Sequence, residues 1–295
     1  MKIAIYGRPF NDKSVLPFIQ QVFDVLNQHK VEIYLHQQLA DFLDGKLKDV
    51  KYEVLRDQDY LRKSIDILIT LGGDGTLLDM VTLIHDSGTP VIGINFGRLG
   101  FLASVNKNDI AAAIYAVVNK DFTLDSRELL EIDCDEKENI FGCNNFALND
   151  ITIHKRDDSA MITMHAFLDD EFLNTYWGDG VIISTSTGST AYSLSCGGPI
   201  LFPQSESVVV TPISPHNLNV RPIVLPNNSK LAFDVECRST NYLVSCDSRT
   251  AIVGKTMKFT IRKAGFKLNL IRLSNESYLS TLRNKLLWGL DARNY

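Results

Sequence analysis

The sequence predicts two domains of unlike class. An α/β doubly wound domain comes first. An all-β, sandwich-like domain follows, and a C-terminal helix packs back on the first domain. Three observations lead there. Up to about residue 122, short apolar runs alternate with stretches of helical period, the signature of a parallel sheet with right-handed crossovers. Beyond it the helical periods stop, and short runs of period two recur between turn residues, as in sandwiches. Near the end, Leu279, Leu282, Leu286 and Leu287 return to helical spacing. The expected domains are therefore 1–122, 123–274 and a returning helix in 275–295.

In chain order, residues 2–6 read as a strand closed by Gly7-Arg8-Pro9. Val15, Phe18, Ile19, Val22, Phe23, Val25 and Leu26 then form one apolar helix face. Residues 31–35 read as a second strand, and 36–64 as a charged stretch with a short helix or two. The mostly apolar run 67–71 reads as a buried parallel strand. It stops at Gly72-Gly73-Asp74-Gly75, with Thr76 placed to cap a helix over 76–86. Residues 91–94 are another buried strand, 95–102 a Gly-punctuated loop and 109–118 a helix. In the second half, strands are expected at 129–134, 146–154, 161–168, 171–176, 181–184, 207–212, 230–235, 242–246 and 257–263. Asp169-Asp170 and Asn227-Asn228 serve as turns, and the tail from 278 to 289 as a helix.

Composition narrows the function classes. The chain has 295 residues, 45% hydrophobic and 22% charged, with a net charge of −5. These values suit a globular protein and argue against non-specific nucleic-acid binding, which needs a positive surface. The five cysteines are odd in number, and no pair has Cys-x-x-Cys spacing. That points away from a disulfide framework or structural zinc and towards a reducing cytoplasm. No stretch reaches the ~18 apolar residues of a membrane span.

Two stretches carry the chemistry. Gly72-Gly73-Asp74-Gly75-Thr76 puts one carboxylate at the carboxyl end of a strand, where open α/β sheets bind ligands. Its glycines let backbone N–H groups approach an anion. An ordinary strand-to-helix turn with a solvated acid is the plain alternative. Asp179 to Pro199 runs from a strand into Ser184-Thr185-Ser186-Thr187-Gly188-Ser189-Thr190-Ala191-Tyr192. That density of hydroxyls suits a ligand rich in acceptors; the alternative is a flexible loop, but the block lies between apolar runs. Asn149-Asp150 interrupts a strand-like run, and Asn offers the donor and acceptor that a purine edge needs. An Asx-type turn would look the same. His216 and Arg221 lie in a Pro-bounded loop, and Cys246-Asp247-Ser248-Arg249 looks like a turn between strands. Gly-x-Gly-x-x-Gly is absent from the first loop. Gly254-Lys255-Thr256 lacks the leading glycine of a P-loop, since position 249 is Arg249.

Taken together, these stretches resemble the NAD kinase family. The matching pieces are Gly72 to Thr76, residues 95–102, Asn149-Asp150, Asp179 to Pro199, 211–222 and Cys246-Asp247. The first motif is shared with diacylglycerol and sphingosine kinases; the block from Asp179 to Pro199 makes the resemblance specific. Asp150 stands where many members have Glu, Ser186 where many have Pro, and Ser248-Arg249 where many have Gly-Gln.

The resemblance implies NAD bound between the two domains. It implies transfer of the γ-phosphoryl of ATP, or of polyphosphate, to the 2′-hydroxyl of the adenosine ribose of NAD, giving NADP and ADP. Asp74 is the candidate base, with a Mg²⁺ contact as its alternative role. Gly72, Gly73, Thr76 and His216 fall on the phosphate side. Gly75, Phe96, Asn149, Asp150, Asp179, Thr187, Thr190, Ala191, Tyr192 and Ser195 fall on the NAD side. Within that set Phe96 packs on the adenine, Asn149 faces the adenine, and Asp179 reaches the nicotinamide end. Mg²⁺ or another divalent metal accompanies ATP, and no metal ligand is assigned among the side chains. The implied assembly is a homodimer or homotetramer in the cytoplasm, without nucleic-acid or membrane partners. The rival readings are a lipid or sphingoid kinase, which needs an apolar acyl pocket, and a non-catalytic nucleotide sensor on the same fold.

Overall fold

The computed structural model covers the whole chain and describes all residues except 56–57, 98–99, 135–139, 157–160, 238–240, 255–256, 275–276 and 288–295. The chain divides into two compact units. One holds 1–126 and 268–295, the other 127–267.

The first unit contains strands β1 (Lys2–Gly7), β2 (Glu32–His36), β3 (Glu53–Leu55), β4 (Ile67–Leu71), β5 (Val91–Asn95) and β6 (Val105–Asn106). Its helices are α1 (Leu16–Gln28), α2 (Gln37–Leu43), α3 (Gln58–Ser64), α4 (Asp74–Ile84) and α5 (Ile110–Val118). The strands pair in parallel in the order β3-β2-β1-β4-β5. The order reverses direction between β1 and β4, and the carboxyl ends of two such strands form the usual ligand crevice of a doubly wound sheet. Gly7 of β1 is in register with Leu71 of β4, so Arg8 and the Gly72 loop leave the sheet side by side. β4 and β5 are buried along their whole length, which explains their unbroken apolar runs. Ile19, Val22, Phe23 and Leu26 of α1 pack with Ile110, Ala113, Ile114 and Val117 of α5 in one core.

Two details depart from the sequence reading. β3 emerges from the charged stretch 36–64; it is a three-residue edge strand, too short to show a period. α4 begins at Asp74, so Thr76 sits inside its first turn and does not cap it. The capping position is Gly73, whose carbonyl accepts the N–H groups of Thr76 at 3.0 Å and Leu77 at 3.3 Å. An acid in the first turn suits the positive end of the helix.

The remaining elements run from β7 (Thr123–Cys134) through β8 (Phe146–Ala147), β9 (Asp150–Lys155), β10 (Ile162–Leu168), β11 (Glu171–Gly178) and β12 (Gly180–Thr185). A short α6 (Tyr192–Ser195) follows, then β13 (Ser207–Ile213), β14 (Ile223–Pro226), β15 (Leu231–Glu236), β16 (Asn241–Cys246), β17 (Arg249–Gly254), β18 (Lys258–Arg272) and α7 (Tyr278–Leu286). In the second unit, β14-β13-β12-β9-β16-β17 form an antiparallel sheet, and β11-β10-β15 continue antiparallel onto the first half of β18. Ile151, Ile153, Val181 and Ile183 of the former pack with Met164, Phe233, Phe259 and Ile261 of the latter. This is the packing of a β-sandwich. Asp169 and Asp170 both have positive φ, 49° and 71°, as a two-residue hairpin turn requires. The expected strand 146–154 is broken at Leu148-Asn149, because their backbone N–H groups turn to the Asp247 carboxylate and leave the ladder. Strand β14 was not expected from sequence, β17 follows the turn expected at 246–249, and β18 runs nine residues past the expected end at 263.

α7 belongs to the first unit, where Tyr278 lies against Phe101 with ring centroids 6.4 Å apart. Gly289 of the expected tail helix, Arg98 and Leu99 of the loop 95–102, and Lys255-Thr256 lie outside the described residues. Among the described residues, no helix is long and apolar enough to cross a membrane.

Candidate active site

In the first unit the site is built around Asp74. β4 ends at Leu71, and the N–H of Gly72 donates to the carbonyl of Ile94 at 2.9 Å, which ties the loop to β5. Gly73 caps α4, and Asp74 is the first helical residue. Its carboxylate accepts a fan of backbone N–H groups: Phe101 at 2.9 Å on Oδ2, and Leu102 at 3.0 Å and Ala103 at 2.9 Å on Oδ1. Lys285 of α7 reaches Oδ2 with its ammonium at 3.2 Å. The approach depends on Gly100. A Cβ there would stand 1.9 Å from Oδ1 of Asp74, so any side chain would push the acid out of the fan.

Gly75 is exposed in the first turn of α4, and Thr76 beside it is half-buried. Phe96 is half-buried; its ring lies 5.5 Å from Phe10 and 6.4 Å from Phe18. Arg8, at the end of β1, forks onto Asp79 of α4 at 2.6 and 2.7 Å. Two cations thus pair with acids of α4, Lys285 with Asp74 at its start and Arg8 with Asp79 in its middle. Neither was singled out in the sequence.

In the second unit the site is built around the break between β8 and β9. The carbonyl of Asn149 accepts the N–H of Thr185 at 2.9 Å and the hydroxyls of Ser184 and Thr185, each at 3.3 Å. The Thr185 hydroxyl also donates to the carbonyl of Leu148 at 2.6 Å and accepts the N–H of Gly188 at 3.0 Å. Gly188 packs directly on this turn: a Cβ there would meet the Asn149 carbonyl oxygen at 2.0 Å. The Ser/Thr stretch is therefore a buried, cross-braced loop. Thr187 takes a hydrogen bond at 3.0 Å from Arg127, a buried cation absent from the sequence reading. Ser186 is buried and donates to the carbonyl of Pro203 at 2.8 Å, so it pins the loop through its hydroxyl.

Beyond it, Thr190 and Ala191 are half-buried, and Tyr192 and Ser195 of α6 are exposed. Asp179 pairs with Lys155 at 2.9 Å. His216 is exposed, its ring 4.2 Å from that of Trp177.

The charged core of this half is a pair of buried acids. Asp247, at the β16–β17 turn, accepts the N–H groups of Leu148, Asn149 and Asp150 at 2.9, 2.8 and 3.3 Å. Burial still raises its pKa above the ordinary carboxylate value, partly countered by those bonds and by Arg249. Asp150 is 7% exposed, and burial, reinforced by the Asp247 charge, pushes its pKa up to about 7. The side chains of Asn149 and Asp150 have no hydrogen-bond partner among the described residues. Arg249, one of the family departures, donates to the carbonyls of Asn144 and Phe146 and lies 4.0 Å from Asp247.

The predicted residues thus fall into two local sets. Gly72, Gly73, Asp74, Gly75, Thr76 and Phe96 lie in the first unit; Asn149, Asp150, Asp179, Thr187, Thr190, Ala191, Tyr192, Ser195 and His216 lie in the second. Among the described residues, no three or more His, Cys, Asp or Glu gather as a metal site.

Comparison with known proteins agrees along the whole chain. Residues 3–122 match the ATP-NAD kinase N-terminal domain, and 148–273 match the ATP-NAD kinase C-terminal domain. The NAD kinase of Flavobacterium psychrophilum is 46% identical over 295 residues, with all of both chains covered. That of Cytophaga hutchinsonii is 42% identical over 296 residues, again with all of both covered. Among solved structures, yeast NADH kinase complexed with NADH has a TM-score of 0.90 at 23% identity, covering 100% of this chain and 89% of that one. An NAD kinase from Archaeoglobus fulgidus in complex with ATP has a TM-score of 0.70 at 22% identity, covering 96% and 99%. The two structural likenesses speak for the fold, and the matches in sequence establish that this chain belongs to the NAD kinase family.

Proposed function

We infer that the protein is an NAD kinase that transfers the γ-phosphoryl of ATP to the 2′-hydroxyl of the adenosine ribose of NAD. The observation that carries the reading is the Asn149-Asp150 turn. Its side chains are half-buried and buried, yet neither is paired among the described residues, while the backbone beneath them is held at every point. Buried polar groups are normally satisfied, so this pair is poised for a ligand with donors and acceptors of its own. A nucleoside fits: Asn149 meets the adenine edge and Asp150 the ribose hydroxyls. Thr187, Thr190, Ala191, Tyr192 and Ser195 line the same ligand, with Asp179 at the nicotinamide end and Phe96 on the adenine.

Phosphoryl transfer needs positioning and charge neutralisation more than covalent help from the protein. Gly73 and Gly75 offer backbone N–H groups and Thr76 its hydroxyl at the start of α4. Gly72, whose N–H is tied to Ile94, shapes the turn that aims them, and His216 takes the side of the transferred phosphate. Asp74 takes the proton of the 2′-hydroxyl. Asp150 is a second candidate for that role, because its pKa of about 7 and unpaired oxygens are those of a base. A divalent cation, magnesium first, enters with the ATP phosphates and supplies charge neutralisation there. The Asp74 carboxylate holds four donors in this conformation, so either role, base or metal contact, needs one of them to leave, and no step is assigned to a protein-bound metal. We also assign the chain to the cytoplasm, to domains 1–122 and 123–274 with a helix in 275–295, and to a homodimer or homotetramer. Exposed Trp177, Phe202 and Leu218 are suited to burial against a second copy.

The test is direct. Purified protein with NAD, ATP and Mg²⁺ should form NADP, read by an NADP-specific dehydrogenase. NAD, and not a diacylglycerol or sphingosine, should raise the melting temperature. Binding of NAD without turnover would leave a nucleotide sensor as the correct reading.

A further inference from the structure

The three backbone donors on Asp74 are set by the loop 100–103, whereas the fourth comes from a long side chain on α7. Lys285 approaches Oδ2 from α7 through a single contact at 3.2 Å, and its side chain is one-third exposed. A carboxylate offers about four lone-pair sites. The N–H groups of Phe101, Leu102 and Ala103 take three, and Lys285 takes the last. Asp74 therefore has no open site for a hydroxyl proton while Lys285 stays where it is. Arg8 is different: two bonds at 2.6 and 2.7 Å lock it to Asp79. Lys285 also stands beside the N-terminal end of α4, where a cation is disfavoured by the helix dipole unless an anion is present. Its ammonium lies 4.5 Å from the centre of the Phe101 ring, a second foothold from which it can swing.

We propose that Lys285 is a catalytic residue of the phosphoryl transfer, closing the last acceptor site of Asp74 in the empty enzyme and moving onto the γ-phosphoryl oxygens when ATP arrives. This inference rests on the reading of Asp74 as the base. In the reaction, the 2′-hydroxyl proton passes to the vacated lone pair on Oδ2 of Asp74. The ribose oxygen forms a bond to the γ-phosphorus. The bond from that phosphorus to the bridging oxygen breaks, and its electron pair leaves with ADP. Lys285 meets the charge spread over the transferred oxygens. ATP binding and base activation are thereby linked: the carboxylate opens when there is a phosphate to draw the ammonium away. The same exchange keeps the base closed while NAD alone is bound.

The experiment uses the full chain with Lys285→Met, which keeps the stem and removes the charge, and Lys285→Arg, which restores a cation. Steady-state kinetics with ATP and NAD, calorimetric titration with NAD, and melting temperature are read for each. Removing one preorganised charge contact typically costs about 10²-fold in kcat. Lys285→Met should lose about that factor and raise KM for ATP, with an unchanged NAD dissociation constant and melting temperature. Lys285→Arg should recover part of the rate. A Lys285→Met enzyme with wild-type kcat and KM for ATP overturns the proposal, as does a loss that follows the melting temperature and is not rescued by arginine. Asp74→Asn, measured in parallel, separates this from the base reading. If Asp74→Asn is inactive and Lys285→Met is fully active, the lysine proposal falls and the base stands. If Lys285→Met is impaired and Asp74→Asn is active, the base reading falls, and the exchange of Lys285 between Asp74 and the phosphate falls with it.

Discussion

The carboxylate of Asp247 accepts the backbone N–H of Asn149 at 2.8 Å, and one residue to either side it accepts those of Leu148 and Asp150. A buried acid at one hairpin turn thus sets the backbone of the residues assigned to the nucleotide. Arg249, two residues on, holds the carbonyls of Asn144, just before β8, and of Phe146 within it. The β16–β17 turn is in effect a two-jawed clamp, one jaw accepting N–H groups and the other donating to carbonyls.

Asp247→Asn keeps the shape but turns an NH₂ group towards N–H donors. A buried donor without an acceptor costs about 1–3 kcal/mol. Urea unfolding should show a loss of that order, and NAD titration a weaker affinity, with KM for ATP little changed.

Asp150 makes stability depend on pH in a defined direction. Its ordinary pKa of 3.8 is raised to about 7 in the folded chain. Below 3.8 the group is protonated in both states and contributes no difference. As pH rises towards 7 the folded state retains a proton that the unfolded state has lost, and stability falls; above 7 the full penalty is present. Asp150→Asn should therefore raise the melting temperature at pH 8 and leave it unchanged at pH 3.5, as differential scanning calorimetry would show. NAD should bind wild-type enzyme more tightly above pH 7 than below, because ribose hydroxyls donate to the charged form; isothermal titration at pH 6 and 8 checks this.

Gly100→Ala places a methyl where Oδ1 of Asp74 now lies. The acid must leave its backbone fan. A misplaced catalytic group can cost about 10²-fold, so kcat should fall by that order. Residues 149–150 lie in the other unit, and calorimetry should show their NAD contacts retained as a dissociation constant close to wild type.

Much of this was legible in the sequence. β4 and β5 announced themselves as apolar runs because they are buried on both sides. The Asp169-Asp170 hairpin was legible because two residues of positive φ favour Asp. Asp74 was singled out because three glycines around one acid at a strand end are more than a turn requires, and the resemblance to the family gave that acid its proposed role. Lys285 was hidden because its partner is 211 positions away and the helix pattern that carries it is ordinary. Arg127 and Lys155 were hidden because a charge in a strand signals exposure until its partner, Thr187 or Asp179, is known. The break in the expected strand 146–154 had no local signal, because its cause, Asp247, lies about a hundred residues downstream. β3 and β14 were too short, at three and four residues, for a period to register.

The central claim is that Asp74 takes the proton from the ribose hydroxyl. The most direct measurement is kcat of Asp74→Asn and of Asp150→Asn, each with its NAD dissociation constant from calorimetry. Removing a positioned base costs roughly 10²–10⁴-fold. Asp74→Asn should lose at least that much in kcat with NAD affinity intact, while Asp150→Asn should lose mainly affinity. An Asp74→Asn enzyme that turns over near the wild-type rate, beside an inactive Asp150→Asn that still binds NAD, would contradict the account and move the base to Asp150.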